Sequence, residues 1–261
     1  MSFSDILNFT NYISHKAVIG KNVKIGPNVI IKDDVIIGDN VQIDANVLVD
    51  DGARISDNVK IHLGAAISVP PQHTTDYGEN KILEIGENTV IREYATISRG
   101  TNVTGKTTIG ANCYIMTYVH VAHDCRIGNN VVLASACNLG GHTEVGDYTF
   151  IGGLAAIHQF VKIGSYVMFG GGFKAVKDVP PYVVAGNQPA KYGGVNVIGL
   201  RRNGFTKEQI TKIGDIYRIL YNTGLNISDA VKKIKNDYEL KDEVKNIIDF
   251  IETSERGIIR K

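Results

Sequence analysis

Apolar residues recur at every sixth position along most of the chain. From Ile13 the series runs through Ile19, Ile25, Ile31, Ile37, Ile43, Val49, Ile55, Ile61 and Ile67. It resumes at Ile85 and continues through Ile91, Ile97, Val103, Ile109, Ile115, Val121, Ile127, Leu133, Leu139, Val145, Ile151, Ile157, Ile163 and Phe169. A short fixed period held over more than half of a chain marks a solenoid. Six matches neither the 3.6-residue period of an amphipathic helix nor the alternation of a half-buried strand. It predicts a parallel β-helix built from hexapeptides.

The other positions of the repeat fill in the shape. Gly often follows the key apolar residue, as at Gly20, Gly38, Gly110, Gly128 and Gly146, and Asn recurs two positions on, as at Asn22, Asn40, Asn58, Asn112 and Asn130. Both residues tolerate positive φ, so they mark corners. Four after the key residue stands something small or β-branched, such as Val23, Val41, Ala65, Ala95, Thr107 or Val131. One wide and one narrow inward residue per side suit a triangular prism of three hexads per coil. With strands stacked ~4.8 Å apart, roughly eight coils make a rod on the order of 40 Å long.

The breaks in the pattern define the organisation. Phe3, Ile6, Leu7 and Phe9 are candidates to cap the open first coil, because a solenoid end exposes unpaired backbone. The ladder stops after Ile67, where Pro70, Pro71 and a polar stretch predict an excursion over about 68–84. Gly100-Thr101-Asn102 and Thr104-Gly105-Lys106 predict a second over about 99–107. The repeat domain is expected over 1–185 and a connecting segment with a helical domain over 186–261. Tyr182 to Gly199 reads as an irregular bridge. Thr206-Lys207-Glu208-Gln209 is a capping box that opens a helix ending near Gly224. Ser228 is the expected cap of a second helix, and Val244, Ile247, Ile248 and Ile251 carry a third.

Composition narrows the function classes. The 261-residue chain has a formal net charge of +1, so neither a nucleic-acid binder nor an acidic tail is indicated. From Lys174 onward there are 16 Lys/Arg against 11 Asp/Glu, a basic bias suited to an acidic partner. The N-terminal residues do not read as a signal peptide, and no apolar run is long enough to span a bilayer. A cytoplasmic protein without stable membrane insertion is expected. Cys113, Cys125 and Cys137 fall on the small inward position, which makes them core filler rather than ligands or a disulfide framework.

Residues about eighteen apart on successive coils lie close, and four histidines satisfy that rule. His120, His123, His142 and His158 gather on a few adjacent coils with Asp124, Gln159, Gly140 and Gly141. A His beside an Asp acts as a general base when the carboxylate orients the ring. Gly140-Gly141 offers unobstructed backbone N–H groups suited to an oxyanion, although a tight corner alone also accounts for them. Three converging imidazoles are the zinc-binding alternative. The paired Asp and the lack of other ligands favour acid–base chemistry with no metal.

At this point a family resemblance becomes specific. Val119-His120-Val121-Ala122-His123-Asp124-Cys125, Leu139-Gly140-Gly141-His142, Ile157-His158-Gln159-Phe160, Val179-Pro180-Pro181-Tyr182 and Gly194-Val195-Asn196 with Gly199-Leu200-Arg201-Arg202 stand in order and at family spacing. The chain resembles the LpxA-type acyl-(acyl-carrier-protein)–UDP-N-acetylglucosamine O-acyltransferases over nearly its whole length. The resemblance implies a left-handed β-helix, a homotrimer with sites between subunits, and the first step of lipid A synthesis. It implies an acyl carrier protein thioester as donor, a UDP-linked amino sugar as acceptor and no cofactor. His123 matches the general base, Asp124 its supporting carboxylate and Gly141 the backbone oxyanion donor. His120, His142, His158 and Gln159 match residues lining the reaction centre. Asn196 and Arg202 match nucleotide-sugar contacts, and Gly171 the position that gauges acyl length.

Three departures concern the acceptor. The family loop that usually reads Gln-Asp-Leu-Lys keeps Gln72 as a sugar contact but continues His73-Thr74-Thr75. Ser98 stands where many members have His, and Ile198 where Glu is common. The acceptor expected is UDP-N-acetylglucosamine or a close variant, including one with a 3-amino group. Competing readings are a nucleotide-sugar N-acyl- or acetyltransferase using acyl-CoA, a γ-type carbonic anhydrase-like metal lyase, and a non-catalytic scaffold.

Overall fold

A computed structural model describes residues 10–76 and 78–261. Phe3, Ile6, Leu7 and Phe9, expected to cap the first coil, lie outside them. Three sheets of nine, eight and ten strands, parallel except for the last strand of the third, form the sides of a prism. The first sheet begins at Tyr12–Ile13, the second at Val18–Ile19 and the third at Lys24–Ile25, so the chain visits each side once per coil. Pairings such as Ile13 with Ile31 and Val121 with Leu139 are eighteen residues apart, the three-hexad coil that the period requires.

The key residues fill the interior. Ile31, Ile67, Ile97, Ile115, Leu133 and Ile151 are each 0% exposed, and a buried Ile contributes ~1.5–3 kcal/mol. The narrow inward positions hold Val41, Ala95, Thr107, Val131 and all three cysteines, which are free and buried. Corners turn through single residues at positive φ, 56° at Asn22 and 57° at Asn112 and Asn130. Stacked corner asparagines bond one another, as Asn22 Nδ2 does to Asn40 Oδ1 at 3.2 Å. At the start of the rod, Ile13 and Ile19 belong to the ladder yet are 40% and 36% exposed.

Both excursions leave the prism at the same corner, between the first and second sheets. The first lies between strands Ala66–Val69 and Ile82–Ile85, shorter than the stretch about 68–84 expected for it. Across it the pairing offset rises to thirty, Ile67 with Ile97. The second lies between Thr96–Ser98 and Lys106–Ile109, with an offset of twenty-four, Ile85 with Ile109. The insertions are thus two hexads and one hexad long, which is why the count of six runs through them. Val103, counted in the ladder, sits in the second excursion and is 74% exposed.

The third sheet continues past the expected boundary at 185. Val183–Gly186 pairs parallel with Met168–Phe169 and antiparallel with Lys191–Val195. The expected bridge is therefore part of the sheet, followed by a helix, α1 (Val197–Arg202), that the sequence reading missed. Helices α2 (Lys207–Asn222), α3 (Ile227–Asp237) and α4 (Asp242–Glu252) follow. The capping box at Thr206 and Gln209 forms as expected. Asn226, not Ser228, caps α3, with its side chain accepting from Asp229 N at 2.9 Å. Asn wins because Ile227 and Ser228 already have helical backbone. The helices close the last coils: fully buried Tyr217 donates from its hydroxyl to Pro181 O at 2.6 Å.

Candidate active site

The corner between the first and second sheets carries the chemistry on successive coils. Above the two excursions it is formed by 122–124, 140–142 and 158–160. Asp124, His142 and Phe160 occupy the positive-φ position, at 60°, 60° and 63°, where other coils use Asn. A non-Gly residue there costs roughly 1–2 kcal/mol, strain that the surrounding ladder must hold. That backbone turn brings adjacent side chains together: His123 Nδ1 lies 2.7 Å from Asp124 Oδ2.

Asp124 is buried, yet its carboxylate is saturated with donors. Thr101 donates its backbone N–H to Oδ1 at 3.1 Å and its hydroxyl to Oδ2 at 2.7 Å, and the Thr104 hydroxyl also bonds Oδ1. Thr107 Oγ1 accepts the Asp124 N–H at 2.8 Å. Burial pushes the carboxyl pKa up, but the hydrogen bonds from Thr104, Thr101 and His123 outweigh it and bring it to about 2. The group is ionised at neutral pH, so His123 Nδ1 carries the proton of the pair and Nε2 keeps its lone pair free.

Two further histidines, His142 and His120, stand beside this pair with lowered pKa values. The His142 ring meets His123 edge to face at 5.3 Å and stacks on Phe160 at 4.5 Å. Its Nε2 is 3.6 Å from Asp124 Oδ2. Burial lowers the His142 pKa, against the pull of Asp124. His120, on the outward face of the first sheet, bonds Thr96 Oγ1 through Nδ1 at 2.8 Å, and burial together with His123 lowers its pKa. Gly141 lies against the His123 ring. A Cβ there would come within 2.7 Å of His123 Cε1 and 2.9 Å of Nε2, so a larger residue would have to displace that ring. No acceptor among the described residues takes its N–H.

His123, Asp124 and His142 present ligand atoms within 4.8 Å of one another, a spacing that a metal could use. The four hydrogen bonds into Asp124 describe instead a carboxylate fixed as an acceptor.

Comparison with known proteins decides the family. Residues 178–259 match the model described as UDP N-acetylglucosamine O-acyltransferase, domain 2, and residues 16–51 and 106–141 match the bacterial transferase hexapeptide model. The acyl-(acyl-carrier-protein)–UDP-N-acetylglucosamine O-acyltransferase of Chlorobaculum parvum is 49% identical, over 95% of this chain and 94% of its own. That of Halorhodospira halophila is 41% identical over 95% and 96%. The crystal structure of LpxA from Bacteroides fragilis superposes with a TM-score of 0.93 at 45% identity, covering 96% of this chain and 98% of the other. The chain belongs to the UDP-N-acetylglucosamine O-acyltransferase family.

It is an acyltransferase on a left-handed β-helix, with a helical C-terminal part. Among the described residues no helix is long and apolar enough to cross a membrane. Within this acyltransferase chain, His120, His123, Asp124, Gly141 and His142 come together as expected. His158 and Gln159 sit one coil higher, with His158 Nδ1 3.1 Å from Gln159 O. Gly171 lies on a different corner, beside Gly153, and exposed Arg202 lies in the last turn of α1. The Asn196 side chain is engaged at both ends: it caps α1 by accepting from Gly199 N at 3.1 Å and donates to Tyr166 O at 2.9 Å. Gln72 is exposed in the first excursion.

Sequence reasoning missed Thr101, Thr104 and His73. The His73 ring lies 5.8 Å from that of His123, edge to face. The family resemblance marks His73 only as a departure from the usual loop. The usable signal was that both excursions depart from the histidine corner, on the two coils preceding it.

Proposed function

We propose that this acyltransferase moves an acyl chain from an acyl carrier protein thioester to the 3-hydroxyl of UDP-N-acetylglucosamine, the first step of lipid A biosynthesis, in the cytoplasm. The observation that carries the mechanism is the 2.7 Å contact of His123 Nδ1 with buried, ionised Asp124. The His123 Nε2 lone pair takes the hydroxyl proton as the sugar oxygen attacks the thioester carbonyl. The new C–O bond leaves a tetrahedral oxyanion, to which the Gly141 N–H donates. Collapse breaks the C–S bond, and the departing sulfur takes the proton back from His123 Nε2. Asp124 stabilises the imidazolium throughout and stays ionised. No metal or organic cofactor enters any of these steps.

The working unit is a homotrimer with the acceptor and acyl pockets between subunits. An apolar outward face on the third sheet supports it, running through Val90, Tyr114, Val132, Phe150, Met168 and Val184. Beside it Tyr118 and Leu154 are 60% and 72% exposed, apolar surface suited to a second copy. Gly171, Asn196, Arg202, Gln72, His158 and Gln159 then serve as substrate contacts in those pockets. The His73-Thr74-Thr75 segment, which lacks the Asp and Lys usual in the family, favours testing a 3-amino acceptor, giving an amide, beside the 3-hydroxyl.

His123→Ala tests the base. Acyl transfer is expected to fall by ~10²–10⁴-fold with the assembly and circular dichroism unchanged. Near-normal turnover would remove His123 from that role.

A further inference from the structure

The two excursions leave one corner on consecutive coils and meet outside the prism. Asp76, in the first, accepts from Asn102 N, in the second, at 2.8 Å through Oδ2, and from Gly78 N at 2.9 Å through Oδ1. Buried Arg99 donates to Gly78 O at 2.7 Å and to Ser68 O at 2.9 Å. The backbones touch as well, since a Cβ on Gly78 would come within 2.6 Å of Gly100 O. One residue before Asn102 stands Thr101, whose N–H and hydroxyl hold both oxygens of Asp124. On the other side, His73 Nδ1 accepts from Asp76 N at 3.2 Å while its ring faces His123. The contacts close a circuit: His123, Asp124, Thr101, Asn102, Asp76, His73 and back to His123.

We propose that this circuit is a positioning device for the base, in which Thr101 and Thr104 orient Asp124 and the Asp76–Asn102 clasp couples that hold to the acceptor loop. The geometry is specific. Thr101 bridges the two carboxylate oxygens and so fixes the carboxylate plane, aiming a lone pair of Oδ2 at His123 Nδ1. The Thr101 hydroxyl accepts from Val103 N at 3.2 Å, which commits its proton to Asp124. Exposed Gln72, Thr74, Thr75, Asn102 and Val103 add nothing to the prism core, so the clasp holds the loops through polar contacts. Thr101 and Thr104 are positioning residues: they act through Asp124 and touch no substrate.

The proposal rests on His123 as the base, and its test separates the two. Steady-state kinetics are measured for Thr101→Val, Thr101→Ser, Asp76→Asn and the Thr101→Val/Asp76→Asn double variant, with His123→Ala in parallel. Thr101→Val is expected to lose kcat by ~10–100-fold, the scale of a small misplacement of a catalytic group, with acceptor KM changed less than about threefold. Thr101→Ser, which keeps the hydroxyl, is expected to recover most of kcat. Asp76→Asn turns an amide toward a backbone N–H and is expected to lower kcat as well. The double variant should then fall no further than Thr101→Val alone, the non-additivity of residues that act as one unit. Inactive His123→Ala beside Thr101→Val at full kcat overturns the positioning role and leaves the base in place. Multiplying losses in the double variant overturn the coupling. Active His123→Ala overturns the base, and the proposal with it. Should Thr101→Val fail to fold, Thr104→Val and Thr104→Ser carry the same comparison.

Discussion

Asp124→Asn keeps the size of the side chain and removes its charge, which isolates the electrostatic part of the dyad. In the native corner the carboxylate accepts from Thr101 N at 3.1 Å, Thr101 Oγ1 at 2.7 Å, His123 Nδ1 at 2.7 Å and the Thr104 hydroxyl. The imidazolium of the proposed base would then sit about 4 Å, charge centre to charge centre, from the carboxylate. At an effective dielectric constant of ~20 that attraction is worth ~4 kcal/mol. At about 1.4 kcal/mol per decade of rate, its loss predicts a fall of ~10³-fold in kcat. Acceptor KM should hold within about threefold, because Asp124 is 3% exposed and lies behind His123. The amide also turns two donors toward the Thr101 and Thr104 donors, so a stability loss of ~1–3 kcal/mol should accompany it. The assay is thiol release from acyl carrier protein at saturating UDP-sugar, with thermal unfolding read on the same samples. A kcat within about tenfold of the parent, or a loss carried by KM alone, would refute the electrostatic argument.

Other expectations follow from the same geometry. The Asp124 carboxyl sits at about 2 against an ordinary 3.8, so its folded pKa is depressed. The stability this lends, ~2 kcal/mol, is fully present above pH ~4 and lost as pH falls through ~2; acid unfolding of Asp124→Asn should lack that component, and matching acid profiles would count against it. Gly141→Ala places a methyl within 2.7 Å of His123 Cε1 and should cut kcat by ~10²-fold with little change in thermal stability; an active Gly141→Ala would argue against the close approach. Asn130 turns a corner at φ 57°, so Asn130→Ala should cost ~1 kcal/mol while Asn130→Gly costs a few tenths; equal losses in chemical denaturation would contradict the backbone explanation. Chelation should leave turnover unchanged; stoichiometric zinc whose removal abolishes activity would assign His123, Asp124 and His142 to a metal instead.

The prism was legible because a coil of eighteen residues imposes the same burial on every sixth position, so local sequence reports directly on a long-range register. The same regularity concealed the excursions' true extent. Insertions of two hexads and one hexad leave the count intact, and Val103 read as core while being 74% exposed. The histidine cluster was readable from the eighteen-residue rule, since His123, His142 and their neighbours share a corner. That His123 and Asp124 meet depended on the φ of 60° at Asp124, which residue identity alone does not specify. Thr101, Thr104 and His73 were not readable, because they reach the site from loops that obey no periodicity. Asn196 illustrates the converse: family likeness marks it as a substrate contact, and its amide also caps α1 and bonds Tyr166 O, a structural role that the likeness does not report.

The proposed reaction builds an ester from a carrier-protein thioester and UDP-N-acetylglucosamine with His123 as the base. Mass spectrometry of the product formed from a pool of acyl carrier proteins and UDP-sugars tests it most directly. The expected product is an acylated UDP-N-acetylglucosamine, labile to mild alkali as an ester is, formed by the parent protein and absent with His123→Ala. An acylated product on some other nucleotide sugar alone, or the same ester made equally well by His123→Ala, would contradict it.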